Sequence, residues 1–124
     1  VKTFKEDIQM KFVLLYEDKK KRIAVEKQFT DAGHQVITCE SSNDFFIAVE
    51  NGGFDRIIID VKSWFRGLCV YRYFGIAKKI ADIPIMFINA PEGFTVLDNI
   101  RERNPQDIYV LKEEGRENLV ARVA

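Results

Sequence analysis

Two stretches of this chain leave no polar position to turn toward water: Ile57-Ile58-Ile59, and Ile83–Ile88, every member of which is apolar. A strand with one wet face alternates apolar and polar residues, so an unbroken apolar run implies burial on both faces. Strands covered on both sides belong to a mostly parallel sheet whose crossovers are helices packed above and below it. Pro84 is tolerable only near the start of such a strand, because it has no N–H for the ladder.

The rest of the chain fits that frame. Strands are expected over Lys11–Tyr16, Gln35–Cys39, Asp55–Ile59, Ile83–Ile88 and Asp107–Leu111. Between them lie segments of helical spacing. Val25, Phe29 and Ala32 share one face of a helix over Lys20–Ala32, with Gly33 as its C-terminal cap. Ser42-Asn43-Asp44 is a capping cluster ahead of Phe45, Ala48 and Val49, and Asn51-Gly52-Gly53 stops that helix. Leu68, Tyr71, Gly75 and Ile76 mark a third helix ending near Ile80, and Phe94, Leu97 and Ile100 a weaker fourth ahead of Pro105. Glu117–Val123 begins the last helix. Five βα units imply a doubly wound sheet, commonly of order 2-1-3-4-5. A chain of 124 residues suits one such domain, here 11–124, with 1–10 read as a leader or linker.

Equal numbers of basic and acidic residues, 19 each, give no support to a nucleic-acid surface. No apolar run approaches the ~20 residues that span a bilayer, and the first ten residues do not resemble a signal peptide. Cys39 and Cys69 have no metal-ligand spacing and read as reduced, buried thiols of a cytoplasmic protein. His34, the single histidine, reads as an exposed turn residue, which removes support for Ser-His-Asp, Cys-His and zinc chemistry. Lys19-Lys20-Lys21-Arg22 reads as a solvated face. A flavin or nucleotide enzyme is disfavoured, since neither G-x-G-x-x-G nor a Walker motif occurs.

The chemistry is placed by topology. In doubly wound sheets ligands bind beyond the carboxyl ends of the strands, where the strand order reverses, here between strands one and three. Strand one runs into Glu17-Asp18, strand three into Asp60, and strand five into Lys112. Clustered carboxylates repel unless a cation neutralises them, and an oxygen-only set suits Mg²⁺, which bridges readily to phosphate. Lys112 could pair with phosphate oxygens, and one carboxylate could attack phosphorus to give an acyl phosphate. The bland alternatives are that Glu17-Asp18 merely starts a helix and Asp60 merely ends a strand.

In this order and at these spacings, Leu14-Leu15-Tyr16-Glu17-Asp18, Ile57-Ile58-Ile59-Asp60-Val61, Ile83–Ala90 and Tyr109-Val110-Leu111-Lys112 resemble the receiver domains of bacterial two-component response regulators, a flavodoxin-like fold. The resemblance implies a domain that is not a turnover enzyme. It implies that Asp60 accepts a phosphoryl group from a sensor histidine kinase or phosphotransfer protein, with Mg²⁺ held by Glu17, Asp18, Asp60 and the backbone carbonyl of Lys62. Lys112 would contact the phosphoryl oxygens and Tyr109 would be the switch aromatic. An output domain or a homodimer would use the face of the fourth helix, fifth strand and fifth helix, with no membrane and no direct nucleic-acid contact.

The departures from the pattern are specific. Asn89 stands where the family has Ser or Thr, and Glu113 in place of proline follows Lys112. The loop Lys62-Ser63-Trp64-Phe65-Arg66-Gly67 is one residue short, lacks proline and carries two large aromatics. They support an alternative, a degenerate receiver that binds partners independently of phosphorylation.

Overall fold

A computed structural model describes residues 9–62, 83–90, 108–111 and 119–123 of the chain. Five parallel strands form one sheet: β1 (Lys11–Leu15), β2 (Gln35–Cys39), β3 (Arg56–Asp60), β4 (Ile85–Ala90) and β5 (Ile108–Leu111). Their order is β2-β1-β3-β4-β5, the common one for five βα units. The described helices are α1 (Lys19–Asp31), α2 (Ser42–Asn51) and α3 (Leu119–Val123). The expected third and fourth helices lie outside the described residues.

Alternation along the strands sorts the core into two layers. Val13, Leu15, Ile57, Ile59 and Phe87 face α2, where they meet Phe45, Ala48 and Val49. Phe12, Leu14, Ile58, Met86 and Ile88 face α1 and α3, where they meet Val25, Phe29 and Leu119. The unbroken apolar runs are thus buried on both sides, and Ile57, Ile58 and Ile59 are each within 1% of full burial. Burying one such side chain contributes about 1.5–3 kcal/mol.

Boundaries differ from expectation where local chemistry intervenes. Ser41, one residue earlier than the expected cluster, caps α2, its side chain accepting from the Asp44 N–H at 3.1 Å. Ala32 is the exposed C-cap of α1 and buries nothing, while Gly33 enters the left-handed region at φ 92°. Pro84 stays outside β4, where its carbonyl accepts from the Ile57 N–H at 3.2 Å. Its missing N–H delays the ladder to Ile85.

His34 is not the exposed turn residue expected from its sequence. It is half-buried, its Nδ1 accepts the Met10 N–H at 3.1 Å, and its ring meets Phe12 edge-on at 5.3 Å. The Met10 carbonyl accepts from the Gln35 N–H at 2.9 Å. Residues 9–10, read as leader, are therefore joined to the β2 end of the sheet, and the Gln9 side chain adds a bond to the Gly33 carbonyl at 3.1 Å.

Candidate functional site

Among the described residues Asp60 is the one buried charged side chain, 5% exposed at the carboxyl end of β3. A buried carboxylate is costly unless it is compensated. Its compensation comes from β4. Met86 and Phe87 pair with Ile108 and Tyr109, yet Ala90 pairs with Leu111. Three steps along β4 answer to two along β5, so β4 carries one extra residue, a bulge that re-aims a side chain. Phe87 and Ala90 consequently lie in the same core layer although they are three residues apart. Within the bulge Asn89 takes φ 59°, a conformation few residues other than Gly, Asn and Asp enter readily.

This backbone turns the Asn89 amide across the rim of the sheet. Its Nδ2 donates to Asp60 Oδ1 at 2.7 Å and to the Tyr16 hydroxyl oxygen at 2.8 Å. A carboxylate only accepts, so the NH₂ end of the amide must face it. The bond to Asp60 is charge-assisted and short. Tyr16, 3% exposed, follows β1 directly, and its ring belongs to the α1-side core. Since Leu15 pairs with Ile59, Tyr16 comes next to Asp60 across the β1–β3 switch point.

Glu17 and Asp18 follow Tyr16 at the same rim. Glu17 is half-buried and Asp18 exposed. Asp18 is the N-cap of α1, its Oδ1 accepting the Lys21 N–H at 3.0 Å. That bond, with the Lys21 charge adding to it, holds the Asp18 carboxyl below its ordinary value. The helix-start role that the sequence left as a bland alternative is therefore occupied by Asp18. Among the described residues no three His, Cys, Asp or Glu side chains converge as a metal-holding group. Lys62 is exposed and lies in a helical turn after Asp60 with Val61. Tyr109 is placed in β5 opposite Phe87, but its side chain, Lys112, Cys69 and the Trp64-Phe65 loop lie outside the described residues.

Sequence reasoning missed two participants. Tyr16 read as an ordinary strand residue, and Arg22 as part of a solvated basic run. Lys19, Lys20 and Lys21 are exposed as expected, but the Arg22 side chain is 11% exposed. Its Nη1 donates to the carbonyls of Tyr16 and Glu17 at 3.0 and 3.2 Å, and its Nη2 lies 3.5 Å from Glu40 Oε2. Arg22 thus ties the first turn of α1 to the exit of β1. The only signal was position, one helical turn after the capping Asp18.

No family model and no curated protein matches the sequence. Solved structures do. The response regulator TrrA of Thermotoga maritima in complex with Mg²⁺-BeF is similar at 20% identity and a TM-score of 0.67, over 92% of this chain and 96% of that one. The receiver domain of a Francisella response regulator gives 17% and 0.69, over 92% and 93%. TrrA in its complex with the histidine kinase ThkA gives 19% and 0.67, over 92% and 95%. The fold is that of response-regulator receiver domains.

Proposed function

We propose that this chain is a phosphorylatable receiver, which takes a phosphoryl group on Asp60 from a histidine kinase or phosphotransfer protein and alters a partner surface in response. The observation that carries this reading is Asp60 itself, a buried carboxylate at the switch point of a receiver fold, with one oxygen held by a charge-assisted bond. A buried charge must be paired, metal-bound or functional, and this one ends a strand where doubly wound sheets bind their ligands.

The chemistry is a phosphoryl transfer. A carboxylate oxygen of Asp60 forms a bond to phosphorus while the bond from phosphorus to the donor breaks, and the electron pair departs with the donor. Asn89 Nδ2 fixes Oδ1 and so sets the direction in which the carboxylate presents itself. The donor set fits Mg²⁺, because that ion takes one or two carboxylates and completes its shell with water, so no three-carboxylate group is needed. One or two of Asp60, Glu17 and Asp18 would hold it with the Lys62 carbonyl; when bound it would neutralise charge on the phosphoryl oxygens. Lys112 directly follows β5 in the sequence, and we assign it to the phosphoryl oxygens. The role is signalling in the cytoplasm, with output through the region around β5 or through an attached domain, and the chain is not a turnover enzyme.

A small phosphodonor such as acetyl phosphate with Mg²⁺ tests this by intact-mass measurement. The wild type should gain one phosphoryl group and Asp60→Ala none. Labelling of neither protein, by this donor or by a cognate kinase, refutes the proposal. It would favour a second reading, a phosphorylation-independent interaction module, which the Asn89 amide bound to both Asp60 and Tyr16 supports.

A further inference from the structure

We propose that Asn89 couples Asp60 to Tyr16, so that an anionic group arriving at Asp60 is reported through the Tyr16 hydroxyl to the α1 side of the sheet. The inference rests on the phosphoacceptor reading and names the regulation of that same site.

The Asn89 amide has two hydrogens, one directed to Asp60 Oδ1 at 2.7 Å and the other to the Tyr16 hydroxyl at 2.8 Å. The side chain is short and its backbone is set by the bulge at φ 59°. An oxygen or fluorine added at the carboxylate moves the negative charge outward, and the amide cannot follow it while keeping both present bonds. Tyr16 is placed to register the change. Its ring is buried in the layer that holds Val25, Phe29 and Leu119, and its carbonyl accepts from Arg22 Nη1 at 3.0 Å. Arg22 in turn bonds the Glu17 carbonyl and approaches Glu40 at the end of β2. The contacts run without a gap from Asp60 to the first turn of α1. Contiguity alone does not show coupling, so the proposal needs a perturbation at each end. Tyr16 is a positioning residue in this scheme, since it acts on Asp60 through Asn89.

The test uses the full chain with Mg²⁺ and beryllofluoride, read by NMR at the Tyr16 ring, the Asn89 side-chain amide and the backbone amides of Arg22 and Val25. In the wild type all of these should shift on saturation. In Tyr16→Phe, fluoride uptake by ¹⁹F NMR should persist while the Arg22 and Val25 shifts disappear; Tyr109→Phe should keep them. Asn89→Gly, which suits a positive φ, should lose them as Tyr16→Phe does, and serves if the buried hydroxyl deletion misfolds. Uptake with undiminished α1 shifts in Tyr16→Phe and Asn89→Gly overturns the coupling alone. Absence of uptake by the wild type overturns the phosphoacceptor reading, and the coupling with it.

Discussion

Substituting Asn89 separates three energies that meet at one residue. Asn89→Ala removes a bond to a buried carboxylate, worth about 1.5–3 kcal/mol, and one to a neutral hydroxyl, worth about 0.5–1.5 kcal/mol. It also puts a side chain without amide compensation at φ 59°, where an ordinary L-residue is strained by about 1–2 kcal/mol. Loss of stability should therefore be about 3–6.5 kcal/mol. Asn89→Gly loses the same bonds without the strain and should be the more stable of the two by about 1 kcal/mol, after allowing for the glycine's extra chain entropy. Asn89→Asp tolerates the backbone but sets a second carboxylate against Asp60. Its deficit should be large at neutral pH and shrink in acid, because the like charges make the introduced group take up a proton more readily. Urea unfolding followed by circular dichroism across pH measures all three. A loss below about 1 kcal/mol in Asn89→Ala would mean that neither bond stabilises the fold. An alanine variant as stable as the glycine variant would mean that the bulge does not hold residue 89 in the left-handed region.

Three further outcomes follow from the same structure. The Asp18 carboxyl is held below its ordinary value by the Lys21 N–H, so its stabilising effect is present above the ordinary carboxylate range and is lost as pH falls through the lowered value; the difference in unfolding midpoint between wild type and Asp18→Ala should close in acid, and a pH-independent difference would refute the cap. Burial, with the Asp44 charge adding to it, pushes the Cys39 thiol up to about 12, so in a Cys69→Ser background iodoacetamide should label the native protein at mildly alkaline pH far more slowly than the unfolded one, and equal rates would contradict the burial. His34→Phe keeps a ring against Phe12 but removes the acceptor for the Met10 N–H; it should cost about 1–3 kcal/mol and speed exchange of that amide, whereas unchanged exchange would place the Met10 bond elsewhere.

The local pattern alone determined the order of elements along the chain, the two-sided burial of β3 and β4 and the acids that close β1 and β3. These depend on periodicities of two and of three to four residues, which a linear reading contains. Asp60 was legible for the same reason, as a charge that closes an apolar run. Tertiary structure decided what Asp60 touches. Asn89 was visible as a departure from the receiver pattern, but its amide reaches Tyr16 across 73 positions of chain, and the bulge that aims it exists only as a mismatch between the registers of β4 and β5. Arg22 and His34 were likewise assigned to solvent by composition and drawn inward by backbone groups that have no identity in the sequence: the carbonyls at the end of β1 and the N–H of Met10. Side-chain type and spacing specify which surfaces must be covered; which polar atom satisfies which other is settled only when distant segments are brought within hydrogen-bonding distance.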